Sequence, residues 1–491
     1  MAINTQYQTG TYTHKVAQLS TQSMVEIKFS AQDAIGEIVA AYPQVSLNSC
    51  EVSSGRINYG GRLIITLVYT GEDGKLCRIQ RGAEFSHFVD DERLAPSQRG
   101  ECVLSCVRYQ LKRDGSGYVV AVVVDAKISV FDSAQRSYLS SLDGAICKVD
   151  SGKLYSPVTF SGESEVDDDF DCAANDVLVP SAHALVMDCN VRAGVVEISG
   201  EIYLSLLAIR EGAPVCFDRV IPFKSEIACE QALFSQRAFC RVEVKNVTVN
   251  CKVYEDRGKC GVDFNCNLAF FGRFYEEEEI SYVSDAFSKD CALNLKRSEE
   301  SIFIDTDEKV YSERVSGLCA VKAKLDYTCA FLAAVLPNVE FARTSGGIEG
   351  SVSATLLYEQ GGEVRATEVN LPFEVMLSGL SSECTEIDVA VCGVSLRQRA
   401  EGECECEAQL KITAADGEKR CITYVTEAAE GDKKKLSDSA VSVYVPECGD
   451  GLWETAKRLS ESPENITAAN PELTFPLTGK ERILIYRPKC D

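Results

Sequence analysis

Gly61-Arg62-Leu63-Ile64-Ile65-Thr66-Leu67-Val68-Tyr69 starts on a glycine and then sets Leu63, Ile65, Leu67 and Tyr69 at alternate positions. A period of two puts those side chains on one face of a β-strand. A turn from Gly71 to Gly74 follows, and Phe85 lies beyond it. The layout recurs twice. Gly200, Ile202, Leu204, Leu206 and Ala208 lead to a turn at Glu211-Gly212 and to Pro222-Phe223; Gly350, Val352, Ala354, Leu356 and Tyr358 lead to Gly361-Gly362 and Pro372-Phe373. In all three copies the strand-end residue keeps one fixed spacing from its glycine, and the phenylalanine follows at a spacing that is identical in the second and third copies and one position longer in the first. A proline, Pro43, Pro180 or Pro337, precedes each glycine. The interval between successive glycines, roughly 140 to 150 residues, is too long for a solenoid unit and predicts tandem domains.

Period-two alternation fills the rest of each copy. Val122, Val124, Ala126, Ile128 and Val130 form one such run; Val242, Val244, Val247 and Val249 a second; Ile387, Val389, Val391 and Val394 a third. Runs of β-branched residues bounded by Gly, Asp and Asn are strands with one buried face, and several joined by tight turns predict an antiparallel β-sandwich for each copy. The fold class expected is therefore mainly β: three tandem β-sandwich-like repeats at 25–160, 161–300 and 301–435, behind an N-terminal extension at 1–24 and ahead of a small α+β module at 441–491. The acidic stretches between the cores, Ser161–Asp171 and Glu276–Glu279, are expected as solvated loops and charged strand edges that resist edge-to-edge pairing. Asp167, Asp169 and Asp171 imitate the first half of a calcium loop, but Cys172 stands where glycine is needed and Leu178 where glutamate is needed.

The C-terminal module has its own signals. Val441 to Val445 alternate as a strand that Pro446 to Gly449 ends, and Leu452, Ala456 and Leu459 then repeat at helical spacing after Asp450-Gly451. Ser462-Pro463-Glu464 reads as N-cap, first helical residue and first-turn acid of a second helix, which Asn470-Pro471 ends. Ile483, Leu484 and Ile485 form a closing strand before Pro488. The predicted order is strand, helix, helix, strand. Trp453 is the single tryptophan of the chain, and its expected role is a partly buried aromatic stabilising a very small core.

Composition excludes more than it names. The formal charge of −24 argues against nucleic acid or an anionic membrane as unaided partners, since both need a positive footprint. Met1–Gly10 lacks the basic and apolar regions of a secretory signal, and no run of about 18 apolar residues occurs, so a cytosolic chain with no membrane insertion is expected. The 23 cysteines are expected reduced. Without Cys-x-x-Cys, and with His14, His87 and His183 isolated, no metal site is expected; the same-face pairs Cys404/Cys406 and Cys102/Cys106 suit small buried thiols in sheets. There is no Gly-x-Ser-x-Gly, no phosphate loop and no His-Glu-x-x-His, and a chain without catalytic residues or cofactors is expected.

The run Gly449-Asp450-Gly451-Leu452-Trp453 and the strand-helix-helix-strand order resemble a LysM module, although that family usually has threonine where this chain has Gly451. The resemblance implies a groove formed by Gly449, Asp450, Gly451, Leu452 and Trp453 with Asn470, Pro471, Glu472 and Leu473, able to take N-acetylglucosamine-containing glycan such as peptidoglycan. Tandem β repeats followed by one LysM are similar to the SPOCS-domain proteins of spore-forming Firmicutes. What that family implies is a non-enzymatic scaffold of spore coat assembly in the mother-cell cytoplasm at the forespore surface, docked through its LysM to the coat morphogenetic ATPase or other coat proteins. The alternative is a peptidoglycan-binding wall-associated LysM protein.

Overall fold

The computed structural model describes residues 5–30, 35–115, 117–233, 238–254, 259–321, 325, 329–380, 386–400, 403–434 and 440–486. The chain is mainly β, and its strands fall into three sets of six with one topology. In the first set β1 (Thr5–Phe29), β6 (Gly117–Leu142) and β5 (Arg99–Asp114) make one sheet in the order β1-β6-β5; β2 (Glu37–Ser53), β3 (Arg56–Thr70) and β4 (Leu76–Asp90) make the other in chain order. The second set repeats this with β7 (Ile146–Cys172), β12 (Lys259–Phe287) and β11 (Ala238–Tyr254) against β8 (Asp176–Arg192), β9 (Val195–Arg210) and β10 (Ala213–Ala228). The third uses β13 (Cys291–Val321), β18 (Glu403–Lys433) and β17 (Glu386–Ala400) against β14 (Ala330–Arg343), β15 (Gly347–Gln360) and β16 (Glu363–Met376). In that set Ala320 and Val321 also pair with Asn370 and Val369, which joins its two sheets into one of six strands.

Each set encloses a core between its two sheets. In the first, Val25, Ile27 and Phe29 of β1 and Val120, Val122 and Val124 of β6 meet Leu63, Ile65 and Leu67 of β3. The boundaries expected at 25, 161 and 301 fall inside β1, β7 and β13. Thr5–Phe29 is one continuous strand on β6, from Thr5 opposite Leu142 to Phe29 opposite Tyr118, because nothing in that segment breaks a ladder. Likewise Ser161–Asp171 and Glu276–Glu279 lie not in loops but on β7 and β12. Along Ser161–Asp171 exposed residues alternate with half-buried ones, whereas Glu276–Glu279 are exposed on both faces of β12, with Glu277 held by Lys153 at 2.6 Å.

The spacing between glycine and phenylalanine has a direct cause. Gly61 lies opposite Phe85, Gly200 opposite Phe223 and Gly350 opposite Phe373 in the antiparallel ladders. A Cβ on Gly61 would stand 2.6 Å from the Ser46 carbonyl oxygen and 2.8 Å from the Phe85 ring; on Gly200 it would stand 2.1 Å from the Leu185 carbonyl oxygen and 2.6 Å from the Phe223 ring. In these two copies the ring lies over the space that the missing side chain leaves, as aromatic residues do over strand glycines; at Gly350 the close neighbours of an added Cβ are the Glu340 carbonyl oxygen and Phe341. Pro43, Pro180 and Pro337 all lie on β2, β8 and β14, the edge strands of their three-stranded layers, where a missing N–H costs no ladder bond. The slips in the apolar period between Val244 and Val247 and between Val391 and Val394 are β-bulges at Val244/Asn246 and Val391/Gly393, matched by one at Cys106/Arg108 in the first set.

The repeats do not follow one another as beads. Val68, Leu207 and Leu357, each at the same place beyond its repeat glycine, pack in a single buried cluster with Tyr42, Val179 and Val335. At the far ends of β6, β12 and β18 the three tyrosines Tyr138, Tyr282 and Tyr424 share a second cluster, and Leu139, Val283 and Val425 a third. The tyrosines recur at nearly equal intervals along the chain. Residues at one position of the repeat meet their own counterparts, so the three repeats close around a pseudo-threefold axis.

Candidate docking module at the C-terminus

Beyond the third repeat, β19 (Val441–Tyr444) pairs antiparallel with β20 (Ile483–Tyr486), and α1 (Leu452–Leu459) and α2 (Pro463–Ala469) lie between them in sequence. The order is that expected from the sequence; Pro488, expected to follow the closing strand, lies outside the described residues. In α2, Ser462 caps the first turn by accepting from the Asn465 amide at 3.2 Å, with Pro463 as first helical residue. In α1 the N-cap Gly451 offers no side chain; instead the Thr455 hydroxyl donates to its carbonyl at 2.8 Å. Ala456, Leu459, Ile466, Leu477, Ile483 and Ile485 form the buried centre, with Leu452, Trp453, Leu473 and Phe475 packed around it.

The groove residues divide into those with free surface and those used internally. The loop before α1 and the chain after α2 do meet: the Gly449 amide donates to the Leu477 carbonyl at 2.7 Å, and the Leu477 amide donates to the Asp450 carbonyl at 2.9 Å. Gly449, Pro471 and Glu472 are exposed, and Gly451 is half-buried. Asp450 accepts from Arg458 at 2.7 Å and from the Glu447 amide at 3.1 Å. Asn470 is buried, and its amide acts as a substitute strand, donating to Ile466 and Leu484 at 2.9 and 2.8 Å and accepting from the Leu484 amide at 2.7 Å. Leu452 and Leu473 contribute to the core.

Trp453 faces the repeats. Its indole N–H donates to Asp285 of β12 at 2.9 Å, and its ring meets Phe287 edge-on with centroids 5.3 Å apart. Asp285 also takes Lys457 at 2.7 Å and Arg297 at 2.6 Å. Lys434 donates to the Ser288 carbonyl at 2.7 Å and to Ser460 at 2.8 Å, and Lys289 pairs with Glu461. The module is thus fastened to the end of the second repeat by a ring edge and charged contacts. Nothing near Trp453 in sequence points to Asp285 or Phe287. The signal that leads there is the recurrence of Ser137-Tyr138-Leu139-Ser140, Ser281-Tyr282-Val283-Ser284 and Thr423-Tyr424-Val425-Thr426, which marks the axial end of each repeat.

Burial raises the Asp285 carboxyl, but the hydrogen bonds from Lys457 and Trp453 outweigh it and hold the group below its ordinary 3.8. A carboxylate depressed on folding stabilises above its unfolded pKa, and that contribution is lost as pH falls through the folded value. The emission of the sole tryptophan should therefore hold from about pH 7 to about pH 5 and shift red in acid below 3.8. Asp285→Asn should bring the red shift at neutral pH. An unchanged spectrum in that variant would show that the carboxylate does not hold the seam.

The opposite face of the module is bare. Val441, Val443 and Val445 along and just after β19, and Leu484 and Tyr486 on β20, are all exposed, Val443 at 57% and directly opposite Leu484. Among the described residues there is no group of three or more His, Cys, Asp or Glu that could hold a metal, and no helix long and apolar enough to cross a membrane. Comparison with protein-family models, with characterised proteins and with solved structures found no match.

Proposed function

We propose that the chain is a non-enzymatic scaffold of spore coat assembly and that its C-terminal βααβ module is a LysM-like unit that docks onto a coat protein, the basement-layer ATPase being the first candidate. The observation that carries this reading is the orientation of the module. Trp453, the aromatic best suited to stack on a sugar, is turned toward Phe287 and Asp285, while five apolar side chains of β19, β20 and the residue after β19 face solvent. An exposed apolar patch on an otherwise acidic chain suits a protein partner. The three repeats, closed around their axis, serve as the rigid body that carries the module.

Peptidoglycan binding is the second reading, and the exposed Gly449, Pro471 and Glu472 around the inter-loop contact are what favours it. A fluorescent fusion in a sporulating strain tests the first reading: loss of residues 441–491 should abolish localisation at the forespore, and normal localisation would sink it. Val443→Asp with Leu484→Asp, two exposed positions, should reduce docking by tenfold or more while the melting temperature stays near that of the parent. Strong retention of the full chain on purified peptidoglycan, undiminished by those two aspartates, would favour the wall.

A further inference from the structure

Internal repetition lets one part of the chain act as a reference for another, and the cysteines respond to that comparison in pairs. Cys50 and Cys189 stand at the same distance before Gly61 and Gly200. The residues facing them from the other sheet, Cys102 and Cys240, sit opposite Ile128 and Gly272 in their ladders, equivalent places that precede Tyr138 and Tyr282 by the same interval. Cys50 and Cys102 pack on one apolar cluster of the first repeat, and Cys189 and Cys240 on the core of the second. A Cβ added at Gly100, on the same strand as Cys102, would stand 3.2 Å from the Cys50 sulfur. In the third repeat the two positions are Val339, equally far before Gly350, and Ile387, opposite Ala414; both pack on that repeat's core.

Two further pairs lie directly opposite each other within a sheet. Cys172 lies directly opposite Cys260 where β7 meets β12, and their sulfurs are 3.2 Å apart. In the third repeat Cys319 and Cys404 lie opposite each other on β13 and β18, at a place nearer the axial tyrosine than that of Cys172 and Cys260, with the Cys319 thiol 3.0 Å from the Cys404 carbonyl. The place of Cys319 and Cys404 is taken in the first repeat by Phe29 opposite Tyr118 and in the second by Phe170 opposite Val262. At the Cys50–Cys102 place and at the Cys319–Cys404 place cysteine occurs on both partners or on neither. Small buried hydrophobes would exchange one at a time; a covalent link requires both.

We infer that Cys50–Cys102, Cys189–Cys240, Cys172–Cys260 and Cys319–Cys404 are four sites of disulfide formation that lock the sandwiches after folding. Cys172–Cys260 and Cys319–Cys404 are directly opposite on antiparallel strands, where Cα separations are roughly 4.5–5.5 Å, within the range a disulfide spans; Cys50–Cys102 and Cys189–Cys240 would join the two sheets of a sandwich. The oxidant is a low-molecular-weight disulfide. One protein thiolate attacks it and expels a small thiolate; the partner thiolate then attacks the mixed disulfide and expels the second. Two protein thiols thus lose two protons and two electrons, and the oxidant leaves as two thiols. Burial pushes the Cys260 thiol up to about 11, so exchange there is slow at neutral pH.

The folded, reduced full chain is incubated with oxidised glutathione at about pH 8.5, alkylated, and mapped by mass spectrometry without reductant. Four linked peptide pairs are expected, each about 2 Da lighter than its reduced counterpart, with Cys106 and Cys392 alkylated. Eight alkylated or glutathionylated thiols, a Cys260–Cys251 link, or scrambled pairs would overturn the assignment. Cys50→Val with Cys102→Ile, which installs the third repeat's residues, should fold and lose that one linkage alone; loss of the other three with it would equally count against four independent sites.

Discussion

Gly200→Ala is expected to unfold the second repeat at temperatures where the other two still hold. The added Cβ would sit 2.1 Å from a backbone carbonyl, that of Leu185, and 2.6 Å from the Phe223 ring. A flexible side chain could swing away, but the carbonyl belongs to β8, whose ladder with β9 runs from Asp176 to Arg192, so a whole strand must shift. Overpacking in a filled core costs about 1–3 kcal/mol, and a clash against backbone falls at the upper end, a large share of the stability of a domain this size. Calorimetry should show an early transition in the variant. Phe223→Ala should relieve the clash with the ring and leave the carbonyl clash, so the double variant should stay well below the parent. If Gly200→Ala melts with the parent, the close approach of the two strands is wrong.

The second large effect is expected at the axis. Tyr138 is fully buried, packs against Tyr424 with ring centroids 4.9 Å apart, and donates to Glu300 at 3.0 Å. Glu300 is itself buried, its other oxygen 3.5 Å from Arg136, which also donates to Tyr424 at 3.2 Å. The three side chains Tyr138, Glu300 and Tyr424 belong to the first and third repeats, so this contact holds the ring closed. Tyr138→Ala should cost about 3–5 kcal/mol by leaving a cavity, and in addition it strands the Glu300 carboxylate. Tyr138→Phe keeps the ring and removes only the donor to a buried acid, for about 1–3 kcal/mol. Urea unfolding should rank the two in that order, with the alanine variant showing separate transitions as the repeats part. Equal effects from both variants would mean the hydroxyl, not the packing, carries the contact.

The bare β19/β20 face and the fastened Trp453 together bear on how the C-terminal module would work. The charged seam formed by Asp285, Lys457, Arg297, Lys289 and Glu461 fixes the orientation in which Val441, Val443, Val445, Leu484 and Tyr486 are presented. A partner would then meet a rigid platform and lose less freedom on binding than it would with a tethered tail.

Much of the local architecture was legible in the chain alone. Alternation at Leu63, Ile65 and Leu67 or at Val122 to Val130 names strands and their buried faces, because a pleated strand has a period of two whatever it packs on. Ser462-Pro463-Glu464 marks a helix start because the unpaired amides of a first turn need a cap wherever the helix sits. Even the glycine-to-phenylalanine spacing was visible before its meaning, a cross-strand pair. Relations between segments distant in sequence emerged only once the sheets were assembled: that Thr5–Phe29 is the first strand of a repeat, that Tyr138, Tyr282 and Tyr424 converge, that Cys50 shares a cluster with Cys102 and Cys172 touches Cys260, and that Trp453 turns to Asp285 instead of outward. Such contacts depend on how whole sheets stack and close. Local propensity carries no information about a neighbour that arrives from 168 residues away, and burial of apolar surface rewards any partner that fits.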